Sequence, residues 1–207
     1  GTYSFNYQPG YTEETDRNGN VRRISFNKDG IAGTVDDALT WKVEQFTRGI
    51  RPTDPSQFTT LFDHNIDGNV TRITFPKGNT LTNDYDEGNP DPLSRGNVLS
   101  IRRSDEALGT LPDLVSTFTY YASSLFNLVM TSTDPKGHTT EMFYDERGNL
   151  TSLVAPSPTT YDANGAATGT QTVVSTFAYN EHGQMQTSTN PVGKTSAYDY
   201  YPVGYLR

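Results

Sequence analysis

The sequence reads TDPKGHTTEMFYDERGNL from Thr133 to Leu150. Three imperfect copies of this pattern occur elsewhere in the chain, which makes four copies in all. In each copy a turn glycine is followed seven residues later by an aromatic residue. Both positions recur at intervals of 59, 59 and 56 residues. Two separate anchors that share one period indicate a tandem repeat. The glycines are Gly19, Gly78, Gly137 and Gly193, and the aromatic residues are Phe26, Tyr85, Tyr144 and Tyr200.

Each period contains four short segments in which apolar residues alternate with Ser and Thr, which is the pattern of a β-strand. The segments Val115 to Tyr120 and Val174 to Tyr179 differ at one position in six and lie 59 residues apart. We therefore predict an all-β fold of tandem antiparallel β-hairpins forming a curved, elongated sheet. The array takes in residues 1–207, about three and a half periods of 56–59 residues. We expect a fragment of a larger protein, because the chain opens beside a strand and stops directly after a repeat turn.

Two turns join strands in the best-preserved copy. In the first, Asp134 can bond back to the backbone, Pro135 presets φ, and Gly137 accepts the left-handed conformation that closes a hairpin. After Tyr144, the residues Asp145 and Gly148 repeat the same chemistry. We predict that all six residues serve the shape of the repeat: Asp134, Pro135, Gly137, Tyr144, Asp145 and Gly148.

The fourth strand of the first copy is the ambiguous element. Trp41 and Val43 are in phase with Val98 and Leu150 of later copies, which favours a strand. Apolar residues at helical spacing with an acidic cap also permit a helix; they are Leu39, Val43, Phe46 and Ile50, with Asp36 or Asp37 as the cap. Loops are predicted at 31–39 and 89–95, and longer connections at about 48–57, 104–112 and 155–172.

Composition excludes several classes of function. The net charge is −8 and the pI is about 4.8, whereas binding to nucleic acid needs a clustered basic face. No apolar run approaches the length of about 20 residues that a membrane span needs. There is no cysteine, and the 13 Tyr and 10 Phe favour a thin, aromatic-rich sheet over a thick core.

Acidic clusters give a weak signal for calcium. Asp63, Asn65 and Asp67 match the opening of a calcium loop with Gly68 at the sixth position, but Thr74 occupies the twelfth, where a bidentate acid belongs. An Asx-rich turn explains the same residues. A second acidic group is interpreted as a solvated loop; it comprises Asp84, Asp86, Glu87 and Asp91.

No arrangement of residues points to catalysis or to a cofactor. His64, His138 and His182 fall at turns, without metal-ligand spacing or a nucleophile partner. Asp145 and Glu146 could form a carboxylate pair for glycoside hydrolysis, but Asp at this phase belongs to the turn. We expect no catalytic residue, no metal and no cofactor.

Aromatic residues leave a second function open. Trp41, the single tryptophan, could stack on a sugar ring, as could Tyr120 and Tyr179 if they are exposed. Packing within the sheet explains the same residues, because cross-strand tyrosine pairs stabilise a sheet. Exposed aromatics would favour a carbohydrate or cell-surface binding module, and covered aromatics would favour a scaffold.

The Tyr-Asp-Glu-Arg-Gly-Asn-Leu stretch, with Asp-Pro-Lys-Gly-His-Thr-Thr ahead of it, resembles the YD or Rhs repeats. These repeats occur in bacterial Rhs and polymorphic toxins, in the B and C components of toxin complexes, and in teneurins. The resemblance implies β-hairpins joined into one long sheet that spirals into a hollow shell around a C-terminal toxic domain. It also implies a secreted or cell-surface bacterial protein, whose partners are further repeats and possibly an enclosed toxin domain or a cell-surface glycan. The self-cleaving motif of the family, roughly Asp-Pro-x-Gly-Leu followed by glycines, has no match here.

Overall fold

A computed structural model describes residues 2–30, 33, 37–46, 55–105, 109, 111–122 and 126–207. Every element in this part of the chain is a strand, a turn or a loop. Asp36 and Ile50 of the helical alternative lie outside the described residues, as does most of the predicted connection at 48–57.

Seventeen strands make up the described part of the chain. They are β1 Ser4–Gln8, β2 Tyr11–Thr15, β3 Val21–Phe26, β4 Thr40–Phe46, β5 Gln57–His64, β6 Val70–Thr74, β7 Thr80–Tyr85, β8 Val98–Ser104, β9 Leu114–Tyr120, β10 Val129–Thr133, β11 Thr139–Tyr144, β12 Leu150–Ala155, β13 Thr159–Tyr161, β14 Ala167–Thr170, β15 Val173–Tyr179, β16 Met185–Thr189 and β17 Thr195–Ala197.

The strand order in the main sheet follows the order of the chain, with fifteen strands in all. The described pairs within it are antiparallel, and three complete periods contribute four strands each, as the sequence predicted. The strand β4 also settles the ambiguous element, because it holds Trp41, Val43 and Phe46 in extended backbone. The all-β class and the tandem antiparallel hairpins are therefore confirmed.

Contacts divide the chain into two compact units. The first comprises Gly1–Tyr85 and Ser100–Val115, and the second comprises Asp86–Leu99 and Ser116–Arg207. That residues 1–207 form a single domain stays a prediction.

The strand register of the first unit separates an apolar face from a polar face. Cross-strand partners share a face, so Ile24 and Val43 lie together, and Phe62, Ile73 and Leu81 form a row beyond them. The opposite face of the same strands carries Glu13, Arg23, Glu44 and Thr59.

The alternation of side chains suggested strands with one buried face, and here the structure differs. None of the described hydrophobic side chains is fully buried, although many are half-buried. Contacts between the described strands run only between neighbours paired in the same sheet, so no second layer of described strands covers the apolar face.

The predicted connection at 155–172 contains a further hairpin, outside the main sheet, that the sequence pattern did not predict. Strands β13 and β14 pair with each other and form a separate two-stranded sheet. Their short, polar sequences around the Asp162 turn give no apolar alternation to detect.

Candidate functional site: turns and the tyrosines that close them

The Asp134 turn has a closed hydrogen-bond pattern. The Oδ1 atom of Asp134 accepts the N–H groups of Lys136 at 2.8 Å and His138 at 2.9 Å. The backbone adds bonds from Gly137 N–H to the Asp134 carbonyl and from Asp134 N–H to the His138 carbonyl, both 2.9 Å. Gly137 has a φ of 84°, which glycine adopts without steric cost. Asp134 and Gly137 thus both take part in closing this turn.

The Asp145 turn repeats this pattern. Asp145 Oδ1 accepts from the N–H groups of Arg147 and Asn149, and its Oδ2 accepts from the Asn149 side chain, all at 2.9 Å. The Asn149 side chain is the largest cause that lowers the pKa of Asp145 below its usual value, followed by the Asn149 N–H. The carboxylate is therefore held in its charged form. Further Asx turns with the same side-chain bonds begin at Asp16, Asn65, Asp162, Asn180 and Asn190.

At several turns, a tyrosine hydroxyl group from outside the turn bonds the first carbonyl group after it. The hydroxyl group donates to the carbonyl oxygen of the first residue of a strand, directly after a turn. The tyrosine lies at the end of the next strand in the sheet or, for Tyr200, three residues beyond that end. The four donor–acceptor pairs, each at 2.9 Å, are Tyr85 with Val70, Tyr120 with Val98, Tyr179 with Leu150 and Tyr200 with Met185. We call these pairs the tyrosine locks.

Register shifts explain why three of these four carbonyl groups need a side-chain donor. The pairing with the preceding strand shifts next to Val70, Leu150 and Met185. Such a bulge disrupts the regular ladder locally, so a backbone donor is not supplied in register. Burial raises the pKa of Tyr179 above its usual value, and the Asp145 charge adds to the effect, which keeps the phenol protonated as a donor.

Tyr144 departs from its counterparts Tyr85 and Tyr200. Its hydroxyl makes no hydrogen bond within the described part of the chain. Its ring instead packs edge-on against Tyr121, with centroids 6.0 Å apart, and Tyr121 donates to the Met142 carbonyl at 3.1 Å. The structural role predicted for Tyr144 is thus performed by ring packing.

An amide pair joins two loops of the second unit. Asn127 and Asn97 exchange hydrogen bonds through their side chains at 2.6 and 2.7 Å. Asn127 also donates to the Leu93 carbonyl at 2.9 Å. Phe126 and Asn127 both have left-handed backbone, with φ of 59° and 57°, which is unusual for residues other than glycine. No sequence pattern indicated this contact.

Charged residues meet on the polar face of the first unit. Arg23 contacts Glu13 at 2.7 Å, and its guanidinium lies 5.0 Å from the Tyr11 ring centroid and 5.3 Å from that of Phe46. Glu44, which is only 9% exposed, contacts Lys42 at 3.1 Å and accepts from Gln57 at 2.8 Å. These residues bridge four adjacent strands.

The residues considered as calcium ligands contact different partners. Asp63 pairs with Lys28 at 2.7 Å. Asn65 Oδ1 accepts from the backbone of Asp67 and Asn69, so it closes its own turn. No group of three or more His, Cys, Asp or Glu suited to a metal ion occurs within the described residues. The Asx-turn interpretation fits these contacts.

The histidines make local contacts. His138 Nδ1 lies 3.0 Å from Asp134 Oδ2, and His182 lies 3.6 Å from the neighbouring Glu181. His64 lines a shallow hollow with Trp41 and Phe62.

The predicted phase of Trp41 is wrong by one residue. Phe26 pairs with Thr40 and Ser25 pairs with Lys42, so the register passes over Trp41. Leu150 holds the position of Thr40 in its own copy, opposite Tyr144, and Thr151 is the residue passed over there. Trp41 is therefore a bulge residue, half-buried, with the Lys42 ammonium 5.0 Å from its ring centroid.

The sugar candidates Tyr120 and Tyr179 are both half-buried and both act in tyrosine locks. Their hydroxyl groups already have backbone acceptors. Patterning found the tyrosines, but it could not reveal an acceptor 22 or 29 residues earlier in the chain.

Comparison with solved structures places this fold beside part of a toxin complex. The chain superposes on a crystal structure of TcdB2-TccC3-TEV with a TM-score of 0.50 and 16% identity, covering 94% of this chain and 10% of that one. A crystal structure of TcdB2-TccC3 without its hypervariable C-terminal region gives 0.49, 16%, 94% and 10%. A structure of the Photorhabdus luminescens Tc holotoxin pore gives a TM-score of 0.29 at 13% identity, covering 99% and 16%.

The chain thus spans about a tenth of the first two chains that it matches. The likeness extends to the fold, and it agrees with the resemblance to YD repeats drawn from the sequence. No family model matches the sequence, and no curated protein matches it significantly. The described residues contain no helix with the length and hydrophobicity to cross a bilayer.

Proposed function

We propose that this chain is a non-catalytic wall segment of a large secreted or surface-delivered YD-repeat protein, in which stacked hairpins build a shell that encloses or delivers a toxin. The proposal rests on the structural roles of the Tyr and Asp residues in the Tyr-Asp pairs. The Asp of the Tyr-Asp pair closes its own turn, as Asp145 does. The Tyr of the pair either bonds the turn of an earlier hairpin, as Tyr85 does, or packs its ring on a neighbouring tyrosine, as Tyr144 does.

A residue that holds a turn is not free to act on a substrate. Both oxygens of Asp145 accept hydrogen bonds within the turn, and Asp134 is engaged in the same way. Neither carboxylate has the raised pKa of a general acid at neutral pH, since turn hydrogen bonds lower both values. This supports the proposal that the chain is not an enzyme.

The likeness to TcdB2-TccC3 in fold supports a place in a larger assembly, whose partners would be further repeats of the same protein. Main-chain pairing at the outer edges of β1 and β17 would supply the joints, because an edge strand presents unpaired N–H and C=O groups.

Electron cryo-microscopy of the natural gene product that contains residues 1–207 tests this function. We expect the segment to lie within a continuous wall, with β1 and β17 each paired to a flanking strand. A segment that stands apart as a separate appendage, with both edges in solvent, would refute the proposal.

A further inference from the structure

One row of side chains on the apolar face of the first unit is chemically unlike the rest of that face. The register places Phe5, Glu14, Arg22, Gln45 and Phe58 opposite one another on five adjacent strands. At about 4.8 Å per strand, the row is about 19 Å long. It begins and ends with an aromatic ring and has an acid, a base and an amide between them.

Equivalent rows in the other copies lack these charges. The positions of Phe5, Glu14 and Arg22 correspond in the later copies to Phe62-Ile73-Leu81, Phe118-Ser132-Thr140 and Phe177-Ser188-Ser196. The first phenylalanine is retained in every copy, while its partners are aliphatic or small and hydroxylated. Glu14 and Arg22 are therefore not required by the repeat.

The polar side chains in the row have hydrogen-bond donors and acceptors that no described residue engages. Glu14, Arg22 and Gln45 make no side-chain hydrogen bond or ion pair with any described residue. The neighbouring Asp16 differs, because its carboxylate is engaged by Asn18 and Asn20 within its own turn. The row therefore presents both donors and acceptors to solvent.

A cavity lies over this row. Its volume is about 420 Å³, and its lining includes Tyr3, Glu14, Arg22, Gln45 and Phe58. Tyr3 is 54% exposed, and Phe5 beside the cavity is 58% exposed. The volume falls in the range of small-molecule sites, and rings flanking a few convergent polar groups are typical of such sites.

We propose that this groove, defined by Tyr3, Glu14, Arg22, Gln45 and Phe58, binds a neutral oligosaccharide. Sugar rings have an apolar face that stacks on Tyr3 or Phe58 and hydroxyl groups that both donate and accept. Glu14 accepts from such hydroxyls, Arg22 donates to them, and Gln45 does both. The lining sets the carboxylates of Glu14 and Asp16 against the single cation of Arg22, which disfavours an anionic ligand, and the length of the row accommodates a chain of rings.

This site differs from the sugar candidates suggested by single aromatic residues. Tyr120 and Tyr179 have their hydroxyl groups in tyrosine locks, and Trp41 lies at a bulge outside this row. The groove is also independent of the wall function, because a wall segment needs none of its polar groups.

The test is a ¹⁵N NMR titration of the 207-residue chain with cellohexaose, maltohexaose and chitohexaose. We expect saturable shifts at Glu14, Arg22 and Gln45 with at least one of these sugars. Arg22→Ala removes a charged donor and Tyr3→Leu removes a ring, and each should weaken binding about tenfold. Tyr7→Leu, in the strand that directly follows Tyr3, and Ser196→Ala, at the position equivalent to Arg22, are matched controls, and they should bind like the unsubstituted chain.

Two outcomes overturn the proposal. One is the absence of saturable shifts at the groove with all three sugars while the chain remains folded. The other is Arg22-dependent binding of carboxymethylated, unfolded α-lactalbumin without sugar binding, which would make the occupant a polypeptide.

Discussion

The hydroxyl group of Tyr179 donates a 2.9 Å hydrogen bond to the carbonyl oxygen of Leu150, the residue that follows the Asp145 turn. Tyr179 is itself followed by Asn180, whose side chain closes the next turn. The carbonyl after that turn, on Met185, accepts in the same way from Tyr200. The Tyr179-Asn180 pair thus bonds backward to one hairpin and begins the next, and the Tyr85-Asp86 pair does the same, whereas Tyr144 packs its ring against Tyr121.

The carboxylate turns should make stability depend on pH in the acid range. Hydrogen bonds lower the pKa of Asp145 below its ordinary value of 3.8, so the folded state prefers the carboxylate and its stabilisation is full above that value. It is lost as the pH falls through the lowered pKa. We expect Asp145→Asn, which keeps the Oδ1 acceptor, to flatten the acid limb of a plot of urea midpoint against pH.

Asn180 provides the matched control for that experiment. Its turn has the same hydrogen bonds with an uncharged side chain. Asn180→Asp should add acid sensitivity where Asp145→Asn removes it. Profiles that stay parallel for both variants would show that the turn carboxylates do not contribute to the pH dependence.

Two turn glycines should respond differently to alanine. Gly137 and Gly148 have nearly equal φ of 84° and 82°, so alanine at either position carries a backbone cost of about 1 kcal/mol. A Cβ at Gly148 would also lie 2.9 Å from the Phe126 ring, whereas nothing lies within 4 Å at Gly137. Gly148→Ala should therefore be the more destabilising of the two in urea denaturation.

A double variant separates the two contributions at Gly148. In the Phe126→Ala background, the effect of Gly148→Ala should fall to that of Gly137→Ala, because only the backbone term remains. An unchanged effect would mean that the ring contact adds nothing.

Adjacent arginines on opposite faces of β3 should differ in their contribution to stability. Arg23 pairs with Glu13 and lies over the rings of Tyr11 and Phe46. With its side chain 37% exposed, we expect Arg23→Ala to lower the free energy of unfolding by about 1–2 kcal/mol, less than for a fully buried pair. Arg22→Ala should change it by less than about 0.5 kcal/mol. Equal losses in urea denaturation would contradict this assignment.

Repetition made the strands and turns predictable from the sequence. Four imperfect copies report on the same structure, so a weak signal in one, such as Phe26-Asn27, is corrected by a strong one such as Tyr144-Asp145. The Asx turns were predictable because Asp, Pro and Gly act on their immediate neighbours. Such turns depend on residues that are adjacent in the chain, so the local sequence predicts them.

Relations across the sheet were not predictable in the same way. The acceptor of Tyr179 is 29 residues away, and its position depends on a bulge that no residue type marks. A shift of one residue at the bulge also explains why Trp41 was aligned with Leu150 and not with Thr151. The pairing of β2, β3 and β4 had to be known before the row of Glu14, Arg22 and Gln45 could be recognised.

If tyrosine hydroxyl groups hold successive hairpins together, removing single hydroxyl groups should lower the stability of the fold. We would measure thermal and urea unfolding of Tyr85→Phe, Tyr120→Phe, Tyr179→Phe and Tyr200→Phe, with Tyr161→Phe as the exposed control.

Each lock variant keeps its ring but leaves a carbonyl without its side-chain donor, so each should lose about 1 kcal/mol, equivalent to a fall in Tm of about 2–4 °C. Tyr161→Phe should unfold like the unsubstituted chain. If the four lock variants match Tyr161→Phe in stability, the hydroxyl groups do not hold the hairpins together and the account is wrong.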